Sequence, residues 1–312
     1  MAGYIIKRIV IMVPVLLGVS FIVFVFMSFI PGDPARLILG QSAPQSAVDS
    51  LHHKMGLGDP FLVRYVRYLK NAAHGDFGTS YRSSRPVFKE ILIRFPSTLK
   101  LALYSIVLVI GFGLALGILS AVKKYSWLDI ASTVLAMLAA SVPTFWLGLM
   151  MILLFSLKLH WLPSNGASHP LSYLMPAIAL SLPVMADVSR ITRSAMLETI
   201  SKDYIRTARA KGLAELAVIW GHALRNALLP IITVIGQEFG QMLGGAILVE
   251  SVFALPGLGS LVVESIRSKD IPQIMGATIF LALMFCVVLL VVDVSYFFLD
   301  PRLQSHYGLE KK

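Results

Sequence analysis

Each of six nearly charge-free stretches reaches the ~20 residues that an α-helix needs to cross a bilayer core. They occupy residues 9–32, 101–122, 130–157, 159–186, 226–249 and 271–299, with the fourth apolar mainly from Tyr173 onward. Glu238 interrupts the fifth and Asp293 the sixth. Apolar residues make up 56% of the 312 and charged residues only 14%, against roughly 25% charged in a soluble domain. The expected fold is therefore an all-α integral membrane protein of about six transmembrane helices. The lone Cys286 sits in an apolar run, which excludes a disulfide framework or a cysteine metal centre.

The first stretch follows Lys7 and Arg8, as a signal peptide would, but it is longer than an h-region. It runs into Ile30-Pro31-Gly32-Asp33-Pro34 rather than a small-x-small cleavage site, so it is expected to stay as a helix. The chain carries 27 Lys and Arg against 17 Asp and Glu. These cations are scattered between the apolar runs, which points to anionic headgroups and topology rather than to nucleic acid. Lys7, Arg8, Lys123, Lys124, seven cations in 187–225, and Arg302, Lys311 and Lys312 fall on one side, which predicts cytoplasmic termini. The division that follows is 1–30 for the N-terminus and first helix, 31–100 for an extracytoplasmic lobe, 101–299 for a five-helix core that includes 187–225, and 300–312 for a cytoplasmic tail. Within the lobe, 61–73 has helical periodicity, with Leu62, Val66 and Leu69 on one face and Arg64, Arg67 and Lys70 elsewhere.

Segment 187–225 holds a short, well-stopped helix. Ser201 is a fitting N-cap, Asp203 suits the first turn, Lys211 the last, and Gly212 the left-handed position that ends it. Lys202, Arg206 and Arg209 form a basic stripe beside a small apolar strip of Ile205 and Ala208. Such a helix either lies on lipid headgroups or docks on a partner, and helix physics does not separate the two.

The stretch from Asp203 to Gly212, continuing to Arg225-Asn226-Ala227-Leu228-Leu229-Pro230, resembles the cytoplasmic coupling loop of ABC-importer permeases. That loop carries a Glu-Ala-Ala…Gly…Leu-Pro pattern. Here the triplet is Arg206-Thr207-Ala208 and the gap from Gly212 to Leu229-Pro230 is long, as in the peptide/nickel branch. Gly75-Asp76-Phe77-Gly78-Thr79-Ser80, Arg85-Pro86-Val87, Val249-Glu250-Ser251-Val252-Phe253 and Pro256-Gly257-Leu258-Gly259 are similar to further marks of that branch.

The resemblance implies a type I importer permease in a bacterial or archaeal plasma membrane, working with a second homologous permease, two ATP-binding subunits and an extracytoplasmic substrate-binding protein. It assigns ATPase coupling to Asp203, Tyr204, Arg206, Thr207, Ala208, Arg209, Lys211 and Gly212. The lobe and 250–270 would meet the binding protein. Di- and oligopeptides are the first-choice cargo, with glutathione and nickel or a metal chelate as alternatives. The chain contains no Gly-x4-Gly-Lys-Ser/Thr loop, so ATP and Mg²⁺ belong to partner subunits and no cofactor is expected here.

Within the membrane, Gly236, Gly240 and Gly244 share a spacing of four, as do Gly113 and Gly117, which suits close helix packing inside the chain or a seam with a second permease. Pro143, Pro176 and Pro183 mark the third and fourth spans as candidate pathway helices. Glu238 and Asp293 are functional candidates by their depth, or else structural partners of a neighbouring helix. A rival reading makes them a proton relay of an ion-driven transporter, and another the pair of an intramembrane acid protease. Hydrolase and metal motifs are missing from the sequence, and the adjacent His52 and His53 read as solvated loop residues. The chain is thus expected to be a transport subunit and not an enzyme.

Overall fold

The computed structural model describes residues 2–29 and 32–299, which leaves Pro31 and the cations of the expected tail outside the described residues. Among the described residues the chain is helical except for turns and one isolated bridge between Thr79 and Pro86. A helix satisfies its own backbone, which lipid cannot do, so helices are what spanning segments become.

Helix α1 (Ala2–Ser28) leads into three short lobe helices, α2 (Pro34–Leu39), α3 (Gln45–Met55) and α4 (Phe61–Ala73). Helix α5 (Val87–Leu108) continues through wide π turns (Val109–Leu114) into α6 (Ala115–Val122) as one span. Helices α7 (Trp127–Ser141) and α8 (Thr144–Met151), the latter extended by π turns Ile152–Lys158, form a pair bent by 94°. Pro143, at the N-cap of α8, marks the break, because proline has no N–H to carry a helix through. Helix α9 (Leu174–Ile200) is followed by α10 (Asp203–Ala210) and α11 (Glu215–Ala217), then α12 (Arg225–Gly245), α13 (Ile247–Val252), α14 (Leu258–Ser268) and α15 (Ile271–Leu299). The described residues thus hold five membrane-length helical spans, or six with the bent pair counted as one.

The spans differ from the charge-free runs at their ends. The second begins at Val87 rather than 101, and the fourth covers Pro170–Ile200 rather than 159–186. Charged residues made both ends look extramembranous, yet Arg94 pairs with Glu264 at 3.5 Å and Arg193 with Asp129. A paired charge can ride inside a span. Residues 159–169 instead form a loop whose Gly166 N–H donates to Phe253 O at 3.0 Å.

The centre of the bundle is α9, which packs on α5 and its wide turns, α6, α7, α8 and α12. The approach to α6 requires glycine: a Cβ on Gly117 would lie 2.6 Å from both Ser189 O and Thr192 Cβ. Helix α1 is part of the bundle, packing along α15 and pairing Arg8 with Asp293 at 3.0 Å. The lobe joins the same end of the bundle as the start of α15, where buried Asp270 accepts from Ser80 Oγ and the Tyr81 N–H. In α4 the buried face is aromatic, with Tyr65 and Phe61 against Phe21 and Phe24, while Leu62 and Val66 point away. The expected Leu62/Val66/Leu69 stripe lies on a continuous helix, but ring packing on α1 turns α4 so that of those three only Leu69 packs against the apolar core.

The most buried acid outside the spans is Glu250, 0% exposed. Thr98 Oγ1 donates to it at 2.6 Å and the Ser260 N–H at 3.0 Å, while the Leu258 N–H donates to Thr98 Oγ1 at 2.8 Å. One carboxyl thereby fixes α5, α13 and the turn into α14. It also explains Gly257, where a Cβ would fall 2.2 Å from the Glu250 carboxyl carbon. Burial pushes the Glu250 carboxyl above the ordinary range, with the Thr98 and Ser260 donors opposing that shift. The folded chain holds this proton more tightly than the unfolded one, so the stabilisation is complete below the ordinary value and is lost as pH rises through the raised one. We expect Glu250→Gln, whose amide can donate to Thr98, to flatten the fall in melting temperature as pH rises above the ordinary carboxylate range. Glu250→Ala leaves both donors unpaired and should cost about 2–4 kcal/mol at low pH, a cost that shrinks as pH rises and the wild type loses stability. Thermal unfolding in detergent distinguishes the three proteins.

Candidate functional site

At the end of the bundle opposite the lobe, α9 passes through a two-residue turn into α10. Lys202, not Ser201, is the N-cap, because the Ser201 hydroxyl turns back to donate to Glu198 O. Gly212 takes φ +77° and its N–H donates to Arg209 O at 2.9 Å, the left-handed stop that glycine adopts without strain. Ile205 and Ala208 are buried against Ile118 and Ala121 of α6, Met196 of α9 and the wide turn Val218–Leu224. Asp203, Tyr204, Arg206, Thr207, Arg209, Lys211 and Gly212 are exposed, and beyond them Leu213 and the 71%-exposed Leu216.

The expected basic stripe needs correction in its chemistry. Lys202 pairs with Glu198 at 3.2 Å and Arg206 with Asp203 at 3.5 Å, while Arg209 donates from Nε and Nη2 to Glu215 at 3.0 and 2.6 Å. These neighbours offset the charge that anionic headgroups would attract. What remains outward is a short helix with a tyrosine and leucines beside it, a surface suited to a protein groove.

Toward the bilayer centre, α7 and α9 flank an open cavity of about 990 Å³. Its walls include Asp129, Met137, Ser141, Asp187, Arg190 and Arg193. Arg193 donates to buried Asp129 from Nε at 2.7 Å and Nη2 at 2.9 Å, and Asp129 also receives Ser120 Oγ and the Tyr125 N–H. This latch joins α6, α7 and α9 at one point. It went unnoticed in the sequence because Asp129 stands just before the third apolar run and its arginine lies 64 residues away. Arg190 pairs with Asp187 on the same helix, so the cavity wall offers both charges.

The two acids singled out by depth have different charged neighbours. Asp293 bonds Arg8 of α1, whereas Glu238 is half-buried and lies in the electrostatic field of Asp187 on α9. Gly236 and Gly240 face α15, where added Cβ atoms would lie 1.9 Å from Val292 and 2.8 Å from Phe285. Gly244 has nothing within 4 Å of an added Cβ. His52 is held on α3, with Nε2 2.6 Å from Asp33 Oδ1 at the N-cap of α2. Among the described residues no group of three or more His, Cys, Asp or Glu could hold a metal ion.

Residues 113–305 match the model of the binding-protein-dependent transport system inner membrane component, and residues 1–102 match its N-terminal companion. The chain belongs to this family. It is 42% identical over 304 residues to the glutathione transport system permease protein GsiC of Escherichia coli (strain K12), covering 97% of this chain and 99% of that protein. The GsiC protein of Salmonella paratyphi A is 41% identical over the same coverage. In fold it is similar to a chain of the MetNI methionine ABC transporter in an inward-facing conformation, with TM-score 0.59, 17% identity, and coverage of 68% of this chain and 96% of that one. A second crystal form of the same transporter gives TM-score 0.55 at 17% identity, covering 67% and 96%. The chain is an ABC-importer permease of the peptide/nickel branch, a membrane transport component and not itself an ATPase.

The latch yields a direct test. Arg193→Leu leaves the Asp129 carboxylate buried without its cation and should lower stability by about 3–5 kcal/mol. Replacing both, as Asp129→Asn with Arg193→Leu, should recover most of that loss. Melting in detergent, read as a double-mutant cycle, checks the coupling.

Proposed function

We propose that this permease forms half of a translocation pathway for short peptides, with glutathione, a tripeptide, as the leading cargo. The observation that supports the mechanism is the unbroken run of α9 from the cavity to the turn before α10. From Ser194 on the cavity wall to Ile200 is about 9 Å of rigid helix. An ATP-hydrolysing subunit gripping α10 would move α9 with it, and the Asp129–Arg193 latch would make α7 follow. A flexible connection would absorb such a stroke.

In this reading α10 and the termini are cytoplasmic and the lobe faces a substrate-binding protein, alongside a second permease and two ATPase subunits. The full-length likeness to glutathione permeases supports the cargo. The cavity wall fits it as well, since Arg190 and Asp187 suit the carboxylates and ammonium of a zwitterionic peptide. Selection among cargoes then rests largely with the binding protein.

The test is ATP hydrolysis by the complete transporter in lipid, titrated with binding protein that is empty, loaded with glutathione, or loaded with a dipeptide mixture. Glutathione-loaded protein should stimulate hydrolysis most. Gly212→Pro, which forces a left-handed position to φ near −65°, should reduce that stimulation about tenfold, and Arg206→Glu should weaken it. Stimulation by dipeptides alone would reassign the cargo. Wild-type behaviour of both variants would remove α10 from the coupling path.

A further inference from the structure

Helix α4 belongs by sequence to a hydrophilic lobe, yet its contacts lie along the flank of a membrane span. Tyr65 Oη donates to Leu17 O at 3.0 Å and bonds Ser20 Oγ at 2.9 Å, and its ring packs on Phe21 and Phe24. Helix α1 ends at Ser28, so at 1.5 Å per residue these contacts lie roughly 6–16 Å inward from that end. Helix α15 reports the same depth from its own start, since Met275, buried at 2%, and Ile279 join the cluster with Phe24 and Tyr65. The bilayer core is about 30 Å thick, and α4 therefore sits beside its outermost part.

The face of α4 turned from α1 carries Leu62, Val63 and Val66, which are 64%, 48% and 61% exposed. Water at that depth would leave three apolar side chains unburied for no gain. The outward face of α1 is apolar too, with Ile22 and Phe26 54% and 64% exposed along a helix long and apolar enough to cross a membrane. Cations stand where headgroups would be: Lys70 one turn beyond Val66, and Arg67, which pairs with Asp59. Their stems can reach upward while the apolar face stays in hydrocarbon.

We infer that α4 is an interfacial membrane helix, its Leu62–Val63–Val66 face buried in acyl chains of the leaflet on the lobe's side. It lies in the membrane as a wedge in the groove between α1 and α15, and the rest of the lobe is mounted on it. The depth of such a helix, about 5–10 Å below the headgroups, matches its contacts.

The experiment places single spin labels at Val63→Cys and Val66→Cys in an otherwise cysteine-free complete transporter, reconstituted in phosphatidylethanolamine–phosphatidylglycerol vesicles. Ile22→Cys on α1 is the lipid reference and Ser46→Cys on α3 the aqueous one, both exposed positions. Collision with oxygen relative to a water-soluble nickel chelate should be at least about threefold higher at 63 and 66 than at 46, and close to that at 22. Nickel access equal to that at 46 would put the face in water and overturn the inference. Shielding from both reagents would overturn it too, by showing that another protein chain covers the face.

Discussion

Arg193 and Asp129 meet inside an apolar bundle, and the way they do so sets the rule for the rest of the molecule. The arginine donates twice to one carboxylate, which also receives a serine hydroxyl and a backbone N–H, so each oxygen of that carboxylate accepts two hydrogen bonds. Leaving a charge unpaired there costs several kcal/mol, whereas a saturated pair can be carried. Arg8 with Asp293 and Glu250 with its donors are solved in the same way. In each case the partners come from different helices, so the need to satisfy a buried acid also fixes how the helices sit together.

This explains how the two ends of the bundle are organised. At the lobe end, Glu250 ties α5 and α13 to the turn before α14, and Asp270 ties the loop after Gly78 to the start of α15. At the other end the latch gathers α6, α7 and α9 beneath α10. Only α9 passes from the cavity wall to the turn leading into α10 without interruption, and around it the bend at Pro143 and the wide turns of three other segments break neighbouring helices. A continuous helix among interrupted ones is the stiffest path for a displacement.

What could be read from the sequence followed the range of the forces. Helix α10 was legible because its stop is local: Gly212 ends it whatever the surroundings. The sixth span was legible for a similar reason, since apolar content alone defines 271–299. Span ends at Val87 and Ile200 were not, because their charges are neutralised by residues such as Glu264 and Asp129 that sequence distance hides. Glu250 stood in plain view within a family-like stretch, but its partner Thr98 lies 152 residues away. The nearby Gly257 and Gly259 were the available signal, two positions where a side chain would collide with that carboxyl. In α4 the aliphatic stripe and the aromatic stripe are both regular, and only the rings of α1 decide between them.

The pairing of Lys202, Arg206 and Arg209 bears on why a basic segment should follow the central helix at all. Unpaired, these cations would hold α10 to anionic headgroups at ~1 kcal/mol each, and any movement of the helix would have to break that attachment. Paired with Glu198, Asp203 and Glu215, they leave the helix a rigid and nearly neutral surface flanked by Tyr204, Leu213 and Leu216. Such a surface can be held by a protein groove and released from lipid at little cost. If α10 couples to an ATPase subunit as proposed, the internal ion pairs would serve its motion more than its stability, because exposed pairs of this kind contribute little to stability on their own.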